Sequence, residues 1–200
     1  MAKVLNIRTL LVLLLIGTGV WQTGEGGWIY AKAQLAQYLL DKAWQRGLDG
    51  DAEAKPWPWA DTWPVAKLLV PELGIEQIVL QGDSGRTLAF GPGYHAGSVP
   101  PGNMGTIMIS GHRDTHFTFL KDIEPGNRIT LTSRKGTFEY RVSHAEILNA
   151  DRDRIINDTD RATLVMVTCY PFDAITTGGN QRYVVYANLV TRTDQKGTPF

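Results

Sequence analysis

Ala162-Thr163-Leu164-Val165-Met166-Val167-Thr168-Cys169-Tyr170-Pro171 is the stretch on which the fold turns. An apolar run interrupted only by Thr163 has the length and composition of a buried strand. Pro171 carries no N–H and cannot extend a central strand, so the run ends at the rim of a sheet. The Cys169 thiol is therefore presented at that rim. Cys169 is the one cysteine in the chain, which excludes an intrachain disulfide. It is either a packing residue or a free, reactive thiol.

Outward from this strand the pattern stays β. The eleven residues Pro171 to Gln181 lead into a second strand, Arg182 to Val190. Upstream, Ala66 to Val70 and Gln77 to Leu80 are short β-leaning runs separated by Pro71-Glu72-Leu73-Gly74. Gly82-Asp83-Ser84-Gly85 reads as a turn, and Gly91 to Asn103 as a loop fixed by prolines and glycines. Thr106 to Ser110 is a buried strand ending at Gly111-His112. Gly126 to Thr132 and Thr137 to Val142 flank the hairpin connection Ser133-Arg134-Lys135-Gly136. Glu146 to Arg161 is polar and reads as a long loop with a helical turn. Many short strands with glycine turns predict a barrel or sandwich, and 21 glycines with 10 prolines agree.

The chain of 200 residues suits one domain plus an appendage, and its 20 basic and 20 acidic side chains cancel. No basic stripe favours a nucleic-acid partner. Lys3 and Arg8 precede the apolar stretch Thr9 to Trp21, and extending it back to Val4 gives a membrane-spanning length. Ala31-Lys32-Ala33 has the form of a cleavage site but lies ten residues beyond the apolar stretch. The reading is an uncleaved signal anchor, in preference to a cleaved signal peptide, with the body of the protein exported. An unpaired thiol is unusual in an oxidising compartment, which points to its chemistry. Trp28 to Leu48 predicts a helix with Ile29, Ala33, Ala36, Leu40 and Trp44 at three- and four-residue steps. The segment Pro56-Trp57-Pro58-Trp59 to Trp63-Pro64 reads as a stiff linker laying aromatics on the domain.

Three polar residues share one positional logic. His112 follows a buried strand, Cys169 ends another, and Arg182 begins the next. The last two strands are consecutive and pair as antiparallel neighbours, so Cys169 and Arg182 share one end of the sheet. If the His112 strand runs with the Cys169 strand, all three converge. An imidazolium favours the thiolate and can protonate a departing amine. A guanidinium offers several donors to a developing oxyanion. Taken singly, each has an ordinary reading: a packing cysteine, a surface histidine, a solvated strand-opening arginine. His95, His116 and His144 keep such readings.

From about Val65 to Val190 the chain resembles the sortases, membrane-anchored cysteine transpeptidases. The family's Thr-Leu-X-Thr-Cys motif reads here Val165-Met166-Val167-Thr168-Cys169, agreeing at its last two positions. Gly111-His112-Arg113 with Phe117 and Leu120 resembles the histidine segment, and Arg182-Tyr183-Val184-Val185 the arginine strand. The anchor and tryptophan-bearing linker look most like the sortases of Gram-negative bacteria.

The resemblance implies an all-β fold, a closed eight-stranded sortase-like β-barrel with short helices, preceded by an N-terminal membrane-anchor helix. The expected organisation is a signal anchor (1–24), a helix and Pro/Trp-rich linker (25–64), a catalytic barrel (65–191) and a tail (192–200). It implies His112 as acid/base, Cys169 as nucleophile and Arg182 as stabiliser of substrate and oxyanion. Cys169 would cleave a C-terminal Leu-Pro-X-Thr-Gly-like sorting signal through a thioester and pass the acyl group to an amine. Partners would be the substrate protein, the amine acceptor and the membrane, with no nucleic acid. The location would be the cytoplasmic (inner) membrane, single-pass, with the barrel facing the periplasm or cell exterior. No cofactor is expected, and no carboxylate cluster obliges calcium. The alternatives are a cysteine peptidase using water and a non-catalytic peptide-binding barrel.

Other motifs fail on their neighbours. Gly82-Asp83-Ser84-Gly85 resembles a trypsin-like nucleophile segment, but Arg86 replaces the next glycine and no histidine precedes it. His112-Arg113-Asp114 lacks the asparagine and glycine loop of a kinase. His112, Asp114 and His116 alternate as metal ligands could, without an evident further ligand.

Overall fold

Alternation in Pro64–Val70, where every second side chain is buried, marks a strand with one face on a core. This strand, β1, is the first of eight in the computed structural model, which describes residues 6–155, 158–176 and 178–193. Lys3 and the tail from residue 194 lie outside the described residues. The others are β2 (Ile75–Gln81), β3 (Gly93–Tyr94), β4 (Gly105–Ser110), β5 (Arg128–Ser133), β6 (Gly136–Asn149), β7 (Ala162–Cys169) and β8 (Gln181–Thr193). Their order around the sheet is β1-β2-β3-β4-β7-β8-β6-β5, and β5 pairs back onto β1. Closure removes every free edge.

The barrel interior is filled from all sides. Leu68 of β1, Val79 of β2, Ile107 and Ile109 of β4, and Leu164 and Met166 of β7 are buried together with Phe138, Tyr140, Val185 and Ala187. Burial pushes the Tyr140 phenol up to about 12, with a small opposing contribution from the backbone of Gly102. β3 is two residues long, and Gly93 within it lies against the backbone of Gly82 and Asp83. A Cβ there would meet the Gly82 carbonyl oxygen at 2.4 Å.

Three sequence expectations shift. Glu146–Asn149 belongs to β6, not to the following loop, because a bulge between Val142 and His144 lets the strand continue along β8. No helical turn occurs among the described residues of that loop. Within the proline- and glycine-rich segment, β3 had no periodicity to betray it at two residues. Ser84 is not only a turn residue: its Oγ accepts from the Thr87 N–H and caps a single helical turn, α2 (Gly85–Leu88).

The chain divides into two compact units, 1–39 and 40–200. One uninterrupted helix, α1 (Ile7–Leu48), runs through both, so the anchor and the following helix are continuous in structure. In the first unit α1 is long and apolar enough to cross a membrane, with mean hydropathy 1.3 over its best window. Its backbone satisfies itself, as a span in lipid requires, and Thr18 and Thr23 turn their hydroxyls back onto carbonyls one turn earlier. In the second unit, Leu40 and Trp44 pack against Ile78, Leu80 and Phe90. Of the linker tryptophans, Trp57 sits edge-on to Phe90 at 4.9 Å, whereas Trp59 is 82% exposed.

Leu68 has no exposed surface, and truncating it leaves a cavity that closed strands cannot collapse around. Leu68→Ala is expected to cost about 2–5 kcal/mol, read as a lower urea midpoint at unchanged slope.

Candidate active site

β4 and β7 run parallel, with Thr106 opposite Thr163 and Ser110 opposite Val167. β7 and β8 are antiparallel, with Val167 opposite Val184 and Cys169 opposite Arg182. The residues facing the core alternate with a second set facing outward. Down that outer face the rungs read Thr106–Thr163–Asn188, Met108–Val165–Tyr186 and Ser110–Val167–Val184. Cys169 at the end of β7 is paired with Arg182, and β4 ends at Ser110, two residues before His112. Cys169 and Arg182 therefore share the last rung, and His112 follows the end of the neighbouring strand. Adjacent strands are spaced by about 4.8 Å, so Cys169 and Arg182 are cross-strand neighbours.

The rung is held from below. Gly111 donates its N–H to the Val167 carbonyl at 3.1 Å, and the Thr168 hydroxyl, 2% exposed, donates to the Gly111 carbonyl at 2.7 Å. These bonds carry the pairing past the end of β4. Gly111 must be glycine because a Cβ would meet the Phe117 ring at 2.6 Å. Phe117 is fully buried, and its N–H bonds back to the His112 carbonyl at 2.9 Å. The chain thus folds tightly over itself and leaves His112 exposed at the rim.

Cys169 is half-buried and unpaired. Arg182 donates through Nη1 to the carbonyls of Gly179 at 2.7 Å and Gln181 at 2.8 Å. Both bonds use that one nitrogen, so among the described residues Nε and Nη2 keep their donors for an incoming oxygen. Beside the sulfur, Tyr170, Phe172 and Tyr183 form an aromatic wall, with centroids 5.3–6.2 Å apart. The Tyr183 phenol is pushed up by burial and then by Tyr170.

Further down the face a cleft of about 610 Å³ is lined by Thr163, Val165, Tyr186, His144 and the 158–161 segment. His144 stacks on Tyr186 at 4.6 Å. Burial pushes the Tyr186 phenol up to about 12, reinforced by a hydrogen bond and the charge of Glu146. A smaller recess of about 200 Å³ adjoins Met108, His95 and Ile155. His95 is 2.9 Å from Asp83, away from the rung. His116 is half-buried, and burial lowers its imidazole, opposed by the Ala89 carbonyl and aided by nearby His112. Among the described residues no group of three or more His, Cys, Asp or Glu is placed to hold a metal ion.

The burial of one residue gave no signal in the sequence. Arg113 is 7% exposed, although an arginine between two polar neighbours reads as a surface charge. Hydropathy cannot identify a guanidinium that is buried because backbone carbonyls meet it.

Thr168→Val keeps the shape of the side chain and strips the donor from the buried Gly111 carbonyl. It is expected to cost about 1–3 kcal/mol, measured by urea unfolding, with Thr168→Ser retaining most of the stability.

The sortase domain family model matches residues 68–190. Sortase D of Bacillus subtilis (strain 168) is 32% identical over 127 residues, covering 62% of this chain and 63% of its own length. The match thus spans somewhat under two thirds of that relative. Among solved structures, the Clostridium perfringens sortase D5 transpeptidase has a TM-score of 0.63 at 21% identity, covering 78% of this chain and 99% of its own. The catalytic domain of B. anthracis SrtD has a TM-score of 0.56 at 32% identity, covering 66% and 90%. These relatives are from Gram-positive bacteria and lend no support to the Gram-negative resemblance of the anchor and linker. With this family match across most of the barrel, the chain belongs to the sortase family.

Proposed function

We propose that this chain is a cysteine transpeptidase that cleaves a C-terminal sorting signal of the Leu-Pro-X-Thr-Gly type. What supports the reading is the Cys169–Arg182 pair at the end of β7, beside Gly111, the residue before His112, which is bonded to Val167 and Thr168. The Cys169 thiolate attacks the Thr carbonyl, and its electron pair becomes the new C–S bond. The carbonyl oxygen turns negative and is met by the free donors of Arg182, where fixed donors act most strongly. His112 gives a proton to the departing glycine amine, leaving a thioester. An incoming amine then loses a proton to His112 and displaces the sulfur.

The outer face suits an extended peptide. Four residues span about 13 Å at roughly 3.3 Å each, the reach along β7 from Cys169 back to Val165. Met108 and Tyr186 line recesses there, and Val165, 1% exposed, borders the larger one.

The barrel is held at the cytoplasmic membrane by α1 as a single span, with an amine-bearing acceptor and the signal-bearing protein as partners. Lys3 and Arg8 at the N-terminal end favour a cytoplasmic N-terminus, which directs the barrel to the outside.

Cys169→Ala is expected to abolish cleavage of a Leu-Pro-Glu-Thr-Gly peptide while circular dichroism stays that of the wild type. Retained cleavage would end this mechanism. Wild-type product that shifts to the hydroxamate on adding hydroxylamine identifies a thioester open to amines, whereas product indifferent to it identifies a hydrolase. Arg182→Lys is expected to lower kcat by about 10²–10³, because an ammonium lacks the planar fork. Near-normal turnover would reduce Arg182 to a loop contact.

A further inference from the structure

The guanidinium of Arg113 is buried at 7% exposure on the residue next to His112. Its Nη1 donates to the Pro171 carbonyl at 2.7 Å, and its Nη2 to the carbonyls of Ala174 at 2.9 Å and Thr176 at 3.1 Å. Its Nε reaches Asp114 Oδ1 at 3.3 Å, a carboxylate that is 64% exposed. A buried charge is tolerated only when its donors are met, and here backbone carbonyls of a distant loop meet most of them. The Arg113 carbonyl is itself held by the Thr118 hydroxyl at 2.8 Å.

Three cross-links now stand in sequence along one seam. Gly111 and Thr168 tie the two segments just below the rung, through the bonds Gly111 to Val167 and Thr168 to Gly111. Arg113 ties them just above it, reaching Pro171 and the loop beyond. In sequence His112 and Cys169 lie between these ties, His112 one residue from each and Cys169 one residue from Thr168 and two from Pro171. The loop that Arg113 holds at 171–176 is the one whose far end, Gly179 and Gln181, accepts from Arg182. One guanidinium thus grips each end of the connection between nucleophile and arginine.

We propose that Arg113 is a positioning residue for the transpeptidation reaction: by pinning the start of the β7–β8 loop to the residue after His112, it fixes the imidazole relative to the sulfur. This rests on the functional reading above. It acts through His112 and Cys169 and touches no substrate atom. Its loss therefore slows the chemical step, since small misplacements of reacting groups are costly, and leaves substrate binding along the outer face of β7 nearly unchanged. Lysine keeps the charge but cannot span three carbonyls that lie in different directions.

The test compares wild type, Arg113→Lys and Arg113→Gln as full-length chains in detergent, with a Leu-Pro-Glu-Thr-Gly peptide and hydroxylamine as acceptor. Amide hydrogen exchange is followed in parallel. In Arg113→Lys, kcat is expected to fall by about 10–10²-fold with KM within about twofold. Exchange is expected to quicken at residues 172–176 and to stay unchanged at Ile107–Ile109 and Leu164–Met166. Arg113→Gln should fall at least as far. Unchanged kcat in an active preparation would overturn the inference, as would a rise in KM that accounts for the whole loss. Faster exchange throughout the barrel in both variants would also overturn it, making Arg113 a general stabiliser. A wild type without turnover would instead take down the functional reading, and this inference with it.

Discussion

Parallel pairing of β4 with β7 is the constraint from which the site follows. Two strands running the same way end at the same rim, so whatever follows them in sequence emerges together. Gly111 and Thr168, the residues before His112 and Cys169, are 57 residues apart, and this pairing makes them neighbours. The pairing would fray where β4 ends at Ser110. The buried Thr168 hydroxyl and the Gly111 N–H extend it past that point, and the Phe117 ring closes over Gly111 from the other side.

β8 completes the arrangement by a different rule. It returns antiparallel to β7, so its first residues lie opposite the last of β7. Arg182 pairs with Cys169 across the strands, and the loop between them closes on itself, with Gly179 and Gln181 accepting from the arginine and the Ala174 and Thr176 carbonyls turned to Arg113. Under the proposed function, a loop next to Cys169 must admit a peptide and still hold geometry. Tying its ends to guanidinium groups, and leaving its middle exposed, meets both requirements.

The barrel serves this rim by being closed. Side chains from all strands pack one interior, and on the opposite face of β4, β7 and β8 Val165 and Val184 are covered while Met108 and Tyr186 line clefts. Long pairing between β6 and β8 extends that surface, made possible by the bulges in β6. The end of α1 packs on β2 with Leu40 and Trp44, and the same helix is long and apolar enough to reach into a membrane.

Much of this was legible in the chain alone. The Ala162–Cys169 strand, its abrupt end at Pro171 and the isolated thiol follow from composition and from the missing N–H of proline. Short β runs between glycines announced a barrel or sandwich, and an apolar stretch behind basic residues announced an anchor. Strand limits were less legible where the backbone, not the side chains, decides them: the bulge that prolongs β6 and the two-residue β3 have no periodicity to read. The direction of β4 relative to β7 also had to come from the tertiary structure, because alternation of side chains is identical in parallel and antiparallel strands. So did the burial of Arg113. A charge is driven to solvent by its own hydration unless carbonyls from elsewhere in the fold replace the water, and no local pattern records that those carbonyls will arrive.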